Sequence, residues 1–345
     1  MHFSVGVDGY PSVNESHLHE FPMKVTITID TEEGWAWDSG FPVRAYDIEN
    51  IQRLDRFHEL CQHYGFATTY FTNHAVLSDP KSAAVISDLS RTEGTEIGMH
   101  VHPWTTPPLS NQENNAFDSF LENLSSEVGL AKLDSTYQLH LKQGLRPVSF
   151  RGGRYSTGPT THSFLAENGF IADASVCPYS SWKDPGAPDH RQAGEQPIRI
   201  SDCLHSEEET GLWSLPLTRI YSRHPFPFWN SVYQKIEDSH LSRLRLIGLM
   251  EKLGILRKIW LNFESEPVAP MLWLIRNAER LNLPYLCFTI HSSSLSVGSN
   301  PYAQTAEQVE QIFHRIEQTF KLLIRLGNFE PATVSEIAHF LENGR

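Results

Sequence analysis

The stretch Val25-Thr26-Ile27-Thr28-Ile29-Asp30-Thr31-Glu32-Glu33 predicts how the fold begins and where its chemistry lies. Its first five residues are β-branched, a composition typical of a buried strand. The strand ends in carboxylates. Asp30 and Glu32 stand two positions apart, so on an extended chain both side chains point to the same side. The acidic first turn of a helix would give the same letters, and both interpretations stay open here.

Outward from this stretch, strand and helix patterns alternate to the end of the chain. Further strands are expected at 66–72, 95–101, 146–150, 170–174, 258–263 and 285–290. Helices are expected at 48–64, 80–91, 117–143, 160–168, 234–255, 268–281 and 305–326, with a last helix capped by Thr333 and Glu336. Such alternation favours a parallel sheet. Seven or eight strands in 345 residues fit an α/β fold, a deformed (β/α) barrel.

The domain organisation follows from where the periodicity stops. Residues 1–22 carry little periodicity and are predicted to be an N-terminal tail, followed by a single barrel domain at 23–345. The segment at about 178–232 is rich in proline, serine and aromatic residues. It is predicted to be an irregular insertion laid over the barrel, because linkers seldom carry so many aromatic residues.

Composition excludes several classes of function. The chain has 41 acidic and 28 basic residues, a formal net charge of −13, which gives no support for nucleic-acid binding. Four scattered cysteines without C-x-x-C spacing favour reduced thiols over a disulfide framework. The N-terminus does not resemble a signal peptide, and no apolar run is long enough to span a membrane. These features predict a cytoplasmic protein.

The pair His100-Val101-His102 is the strongest candidate for metal binding. On an extended chain two such histidines point to the same side with Cα atoms about 6.5–7 Å apart, so both imidazoles can reach one divalent ion. Pro103 supports the extended conformation because it blocks helix continuation. Two loop histidines without a ligand role would give the same letters. Two histidines and one carboxylate, such as Glu32, with water in the remaining position are the usual ligands of a hydrolytic zinc site.

Polar residues suited to catalysis follow five predicted strands. These residues are Asp30 and Glu32, His100 and His102, Arg151 and Arg154, Asp173 and Ser175, and His291. The carboxyl ends of barrel strands are where such folds place their chemistry. An arginine can hold a carboxylate base ionised, and a histidine can protonate a leaving amine. Asp173 could orient such a histidine or cap a turn with Ser175.

Taken as an ordered set, five stretches resemble a known family. They are TIDTEE at 28–33, EIGMHVHPW at 96–104, FRGGRYSTG at 150–158, DASV at 173–176 and TIHSSSL at 289–295. Over roughly 23–345 the chain resembles the NodB-homology polysaccharide deacetylases (carbohydrate esterase family 4), and among them the WalW-type members. The resemblance implies a deformed barrel of the glycoside hydrolase–deacetylase type and hydrolysis of N- or O-acetyl groups on sugars with a divalent metal.

The resemblance also assigns roles to individual residues. It implies Asp30 as the catalytic base, Arg151 as the partner of that base and His291 as the general acid. It implies Glu32 and His100 as metal ligands.

The chain departs from the family pattern in two motifs. The family has aspartates in the first motif; here Glu32 is the expected ligand and Glu33 competes with it. The family has a second histidine where this chain has Trp104, so the third ligand, His102, rests on its spacing from His100.

Substrate contacts are expected from residues beside the ligands. Trp35, Trp37 and Trp104 suit a sugar-stacking platform, because their rings are amphipathic, although packing alone would also explain them. Trp35, Trp104, Arg154 and Asp173 are the predicted substrate-binding residues.

Three functions remain open from the sequence. The leading one is a metal-dependent deacetylase, with zinc as the expected ion and an acetylated sugar or glycan precursor as the substrate. The second is a metal-independent C–N hydrolase on the same fold, acting on a cyclic amide or ureide. The third is a catalytically inactive carbohydrate-binding or partner-binding protein. The sequence does not indicate an oligomeric state.

Overall fold

Nine strands form one curled sheet at the centre of the fold. The structure is a computed structural model, and it describes residues 22–37, 40–44, 46–109, 115–200, 211–239 and 246–343. The strands of the described chain are β1 Met23–Thr31, β2 Thr68–Thr72, β3 Thr95–Val101, β4 Ser149–Gly152, β5 Ala172–Asp173, β6 Ser180–Ser181, β7 Asp189–His190, β8 Ile198–Arg199, β9 Trp213–Ser214, β10 Arg219–Tyr221, β11 Lys258–Trp260, β12 Leu286–His291 and β13 Phe329–Pro331.

The sheet runs in the order β12-β1-β2-β3-β4-β5-β9-β8, and β13 also pairs with β1. Every pair along this path is parallel except β8 with β9. The backbone that follows β11 continues the curl, because Thr289 N donates to Leu261 O at 3.0 Å and Phe263 N donates to Thr289 O at 3.1 Å. The predicted α/β class and deformed barrel are confirmed.

Strand β1 sets the direction in which the chemistry faces. Side chains alternate between the two faces of a strand, so Thr28 and Asp30 share one face and Ile27 and Ile29 the other. Ile27 and Ile29 lie in the main apolar core. Thr28 contacts Arg151 inside the curl. All four side chains are buried, as expected for a strand covered on both faces.

Helices cover the outside of the sheet. They are α1 Leu54–His63, α2 His74–Ser78, α3 Pro80–Leu89, α4 Ser126–Lys142, α5 Pro159–Glu167, α6 Phe226–Glu237, α7 Leu246–Lys252, α8 Val268–Asn277, α9 Ala306–Leu326 and α10 Val334–Glu342. Short 3-10 turns lie at Glu49–Arg53, Leu121–Asn123, Gly153–Tyr155 and Ser292–Leu295. The predicted capping boxes of the last two helices are both present, formed by Thr305 with Gln308 and by Thr333 with Glu336.

Two sequence predictions about helix limits were wrong. The helix expected at 234–255 is two helices, α6 and α7, and α6 begins inside the segment expected to be irregular. Pro225 precedes this helix and Pro227 lies in its first turn, where a missing N–H costs nothing. The helical region expected at 117–143 begins as α4 only after Ser125, whose side chain accepts from Val128 N and caps the helix.

The expected insertion is also more regular than its composition suggests, since it contains the paired strands β6 and β7 as well as β8, β9 and β10. Strand β13 and helix α2 were missed, because short elements give little periodicity. The predicted N-terminal tail falls almost wholly on residues 1–21, outside the described residues. The expected domain limits, 23–345, stay a prediction. No described helix is both long enough and apolar enough to cross a bilayer.

Candidate active site

A cavity of about 280 Å³ lies where the parallel strands end. Side chains that follow β1, β3, β4, β11 and β12 line it, as expected for a barrel. Its lining residues are Asp30, Glu32, Trp35, Trp37, Phe41, His100, His102, Phe120, Arg154, Tyr155, Trp182, Trp260, Asn262, Glu264, His291 and Tyr302.

Three buried donor atoms converge at the floor of this cavity. His100 Nε2 and His102 Nε2 are 3.0 Å apart, and Glu32 Oε2 lies 3.4 Å from the first and 3.1 Å from the second. The register of β1, β2 and β3 brings the three together, although they come from two separate stretches of the chain. The other carboxylate oxygen, Glu32 Oε1, is buried and has no hydrogen-bond partner among the described residues.

The outer nitrogens of both imidazoles already have acceptors. His100 Nδ1 lies 2.6 Å from the carbonyl oxygen of Arg151, and His102 Nδ1 lies 2.8 Å from Glu33 Oε1. Each Nδ1 therefore carries the proton and donates it, which leaves the Nε2 lone pair directed inward. Two lone pairs 3.0 Å apart repel each other unless a proton or a cation lies between them.

Without a metal, a proton satisfies this cluster. Burial disfavours a charged His102, but Glu33 and Glu32 outweigh it and raise the pKa of His102 to about 9. Burial likewise disfavours an ionised Glu32, but His291 and His102 outweigh it and hold the pKa of Glu32 well below its usual range. A metal must therefore displace the proton of His102, and alkaline pH favours that exchange.

The donor set fits a small divalent cation. Ligands bound about 2.0–2.1 Å from a tetrahedral zinc ion lie roughly 3.3–3.4 Å from one another, close to the three separations observed here. One carboxylate and two neutral imidazoles are a donor set that suits zinc. The acceptors on Nδ1 are the outer contacts that orient metal-bound histidines in proteins.

The geometry distinguishes between Glu32 and Glu33. Glu33 points away from the Nε2 atoms and contacts the opposite nitrogen of His102. Its second oxygen accepts from the amide of Asn73, and Thr105 Oγ1 donates to its first at 3.4 Å. Glu32 therefore faces the candidate metal position and Glu33 orients His102.

Asp30 and Arg151 form the second group of the site. Arg151 Nη1 donates to Asp30 Oδ1 at 2.7 Å and to Thr28 Oγ1 at 2.9 Å. Its Nε donates to the carbonyl of Ala174 at 3.0 Å, and its guanidinium lies over the ring of Phe71 at 4.4 Å. Arg151 is fully buried beneath the cavity and does not line it. Arg151 therefore fixes the position of the Asp30 carboxylate.

His291 forms the third group, and its partner is Glu264. The ring atom His291 Nδ1 lies 2.8 Å from Glu264 Oε2, and Nε2 lies 3.7 Å from Asp30 Oδ2. Glu264 also accepts from His291 N at 3.0 Å and from the Ser294 hydroxyl. Burial lowers the pKa of His291, but Glu264 and then Glu32 outweigh it and raise it to about 10. His291 therefore carries a proton at neutral pH.

Glu264 was not among the residues predicted from the sequence. It directly follows the strand expected at 258–263, so it lies at the end of a predicted strand, as the five polar clusters do. Asp173 had been one candidate for orienting such a histidine, the other role open to it being a turn cap with Ser175, and it lies elsewhere.

Asp173 does not line the cavity, and its role in substrate binding stays a prediction. Its carboxylate accepts from the Ser175 hydroxyl and from Ser175 N at 3.0 Å. The other oxygen lies 2.5 Å from Thr157 Oγ1 and 3.1 Å from His162 Nε2. Asp173 therefore ties β5 to the start of α5, as the turn-capping alternative suggested.

Of the tryptophans near the site, some line the cavity and one is buried behind it. Trp104 is fully buried and stacks on the ring of His102 with centroids 4.1 Å apart, and it does not line the cavity. Its place in a substrate platform stays a prediction. Trp35 and Trp37 do line the cavity, with Trp37 at 5.2 Å from the ring of His291. Arg154 lines it too, and its role in substrate binding stays a prediction.

A buried lysine holds the loop that carries His102 and Trp104. Lys132 Nζ on α4 donates to the carbonyls of Pro103, Thr106 and Pro108 at 2.8, 2.7 and 2.8 Å. Thr105 N and Thr106 N both donate to His102 O, which closes the turn. One ammonium group thus satisfies three loop carbonyls.

Replacing Lys132 by methionine should destabilise the protein. The substitution leaves three loop carbonyls without their donor, at about 1–3 kcal/mol for each one that stays buried. Urea unfolding should show the loss, and amide hydrogen exchange should show faster exchange at 102–108. Lys142→Met, at an exposed position at the end of the same helix, is the matched control. Equal stability of the two variants would contradict the role given to Lys132.

Asp173→Asn should lower stability more than it changes chemistry. Burial alone would raise the pKa of Asp173, but hydrogen bonds from His162, Ser175 and Thr157 outweigh it and lower that pKa. A carboxyl with a lowered native pKa stabilises the fold above its unfolded pKa, about 3.9, and the gain is lost as pH falls through the native value.

We expect Asp173→Asn to cost roughly 2–4 kcal/mol at neutral pH. The difference from wild type should shrink as the pH falls below about 4. Thermal unfolding across this pH range measures both, with the exposed Asp88→Asn as the control. A variant as stable as wild type at pH 7 would contradict this assignment.

Solved structures of other proteins resemble this chain at low sequence identity. A Mycobacterium smegmatis protein assigned as a polysaccharide deacetylase superposes with a TM-score of 0.53 at 14% identity, over 96% of this chain and 96% of that one. The 4-α-glucanotransferase of Thermococcus litoralis gives 0.49 at 13% identity, over 92% and 40% of the two chains. The family 4 carbohydrate esterase of Streptomyces lividans, solved with acetate, gives 0.29 at 18% identity, over 44% and 62%.

No family model and no curated protein matches the sequence. The Mycobacterium superposition spans nearly all of both chains and confirms the deformed barrel that the deacetylase resemblance implied. The resemblance is thus confirmed for the fold. The WalW-type assignment stays a prediction, and so do the residue roles.

Proposed function

We propose that this protein is a metal-dependent hydrolase that removes an N-acetyl or O-acetyl group from a sugar. The observation that carries the proposal is the convergence of Glu32, His100 and His102 on one point of a cavity that the Asp30–Arg151 and Glu264–His291 pairs also border. Each of the three groups fits one requirement of acyl hydrolysis: a metal position, a general base and a general acid.

Glu32, His100 and His102 would hold the metal. When bound there, a divalent ion would polarise the acyl oxygen and make water easier to deprotonate. The two imidazoles and the carboxylate favour zinc among the common ions. Glu33 would hold His102 in the tautomer that binds metal.

Asp30 is the proposed general base. The guanidinium of Arg151 stabilises its anion and fixes one of its oxygens, at 2.7 Å. The other oxygen, Oδ2, faces the cavity side of the site, 3.7 Å from His291 Nε2. A water hydrogen-bonded to Oδ2 can lose its proton to Asp30 as it attacks the acyl carbon.

His291 is the proposed general acid. Its Nδ1–H is directed at Glu264, so Nε2 is the atom that can give a proton to the leaving amine or alcohol. Glu264 orients the ring and stabilises the imidazolium before the transfer. Trp35 and Trp37 line the same cavity and supply flat faces on which a sugar ring can stack.

One observation favours the metal-independent alternative. The ion pair of Glu32 with a protonated His102 satisfies the buried cluster without any metal, in keeping with the raised pKa of His102. On that alternative the same residues would be a structural charge cluster, and Asp30 and His291 would act alone on a cyclic amide.

Metal content separates the two proposals. Wild-type protein, purified without a polyhistidine tag and loaded with zinc, should hold about one ion per chain. His100→Ala, His102→Ala and Glu32→Gln should lose it, because each removes one of three donors. Glu33→Gln should keep the stoichiometry but bind zinc roughly 10–100-fold more weakly, as loss of an outer contact does.

Elemental analysis gives the stoichiometry, and competition with a chromogenic chelator gives the affinity. His314→Ala removes an exposed histidine from α9 and should bind like wild type. If wild type takes up no zinc even after loading, the metal mechanism is wrong. If Glu33→Gln loses the ion while Glu32→Gln keeps it, the ligand assignment is wrong.

Glu264→Gln should lower the pKa of His291. Among the groups that raise this pKa Glu264 has the largest effect, and losing a charged hydrogen bond should shift it down by about one pH unit or more. The general acid must be protonated, so the alkaline limb of kcat/KM should move to lower pH by the same amount. A bound cation would offset the effect of Glu32 on the pKa of His291, whereas the effect of Glu264 on that pKa would remain.

Proton NMR of the His291 ring follows the titration with and without substrate. Glu266→Gln, two positions along the same loop and paired with Arg257, is the matched control. An unchanged titration in Glu264→Gln, with the fold intact, would remove Glu264 from the proposed acid.

A further inference from the structure

The cavity is small and has walls from separate parts of the chain. Its volume of about 280 Å³ falls at the low end of ligand pockets, which typically measure roughly 300–1,000 Å³. The walls include Trp37 from the loop after β1, Phe120 from the segment before α4, Trp182 from the segment after β6 and Tyr302 from the segment before α9. Aromatic rings from four separate segments therefore line the cavity.

The segment that carries Trp182 is tied across the rim. Asp184 Oδ2 lies 2.5 Å from Arg154 Nη2. Two residues on, the carbonyl of Gly186 accepts from Asn123 Nδ2 at 2.9 Å, and the same amide donates to Phe117 O at 2.9 Å. Gly186 adopts φ +72°, and a side chain there would strike the amide of Asn123, so the approach depends on glycine. We call 182–187 the rim strap.

Arg154 completes this side of the wall. Its guanidinium lies 4.2 Å from the ring centroid of Phe120 and 4.9 Å from that of Phe41. Nη1 donates to Ser119 Oγ at 2.5 Å. Arg154 thus joins the rim strap to both aromatic side chains, and these contacts close the wall between 117–123 and the strap in the described part of the chain.

The rim strap also continues into the wall. Trp182 stacks on Tyr155, with ring centroids 5.4 Å apart and planes at 21°. Tyr155 in turn contacts Trp260 at 6.0 Å. The strap therefore supplies both a lining ring and the contacts that hold it in place.

We infer that the site takes a free acetylated monosaccharide or the terminal sugar of a glycan, and not an internal residue of a polymer. The inference rests on the proposed function and adds the substrate class. An internal residue must leave the cavity on two sides of its ring, whereas the strap, Arg154 and the aromatic walls close one side. A terminal sugar needs only one exit.

Acetate release from N-acetylglucosamine and its β-1,4-linked oligomers of two to six residues tests this inference on zinc-loaded protein. Mass-spectrometric sequencing of the products locates the deacetylated residue. We expect at most one acetate per chain at first, from a terminal residue, and a kcat/KM that does not rise with length. Release from internal residues, or a kcat/KM that climbs with each added sugar, would overturn the inference and leave the deacetylase intact. No acetate from any member of the series would overturn the proposed function and the inference with it.

Loosening the strap should shift this preference. In Asp184→Ala and Asn123→Ala, the hexamer-to-monomer ratio of kcat/KM should rise by roughly two- to fivefold in each variant, the range typical of removing one exposed pair. Asp189→Ala is the matched control, because it removes an exposed salt bridge to Arg191 that lies just beyond the rim strap. A ratio that moves equally in the control and in the rim variants would show that the strap does not set substrate length.

Discussion

The buried guanidinium of Arg151 is the group on which the site depends. It lies inside the curl of the sheet, donates to Asp30 and Thr28 on β1 and to Ala174 after β5, and packs on Phe71 of β2. Its own carbonyl accepts from His100. A charge buried this deeply is tolerated only when it is paired and hydrogen-bonded. The hydrogen bonds that satisfy Arg151 therefore also hold the surrounding strands in place.

Each histidine of the site is also held by an acceptor on its outer ring nitrogen. His100 is held by a backbone carbonyl, His102 by Glu33 and His291 by Glu264, and in each case the outer nitrogen is occupied so that the inner one is directed into the cavity. This arrangement orients the rings before any substrate or metal arrives. Glu32 lies among these groups, and one of its oxygens has no hydrogen-bond partner in the described part of the chain, so a proton balances the cluster in one state and a cation would balance it in another.

Aromatic side chains and Arg154 line the cavity around these charged groups. Trp35, Trp37 and Trp182 line the cavity, and Arg154 joins the β4 loop to the segment beyond β6. Several of these lining residues follow the charged ones directly along the chain: Trp35 and Trp37 come after Glu32, and Arg154 comes after Arg151.

The alternation of strands and helices, the barrel and the strand ends that carry Asp30, Glu32, His100, His102, Arg151 and His291 could all be predicted from the sequence, because periodicity and the rule for parallel barrels are local or topological. Spacing also favoured His102 over the position occupied by Trp104. Three findings required the tertiary structure. Glu32, and not Glu33, faces the two Nε2 atoms, and Glu264, and not Asp173, pairs with His291. Trp104 is buried against His102 and does not line the cavity. Those outcomes depend on which atoms meet across the sheet, at sequence separations of 27 to 69 residues, and nothing in a local pattern specifies which of two neighbouring carboxylates turns inward.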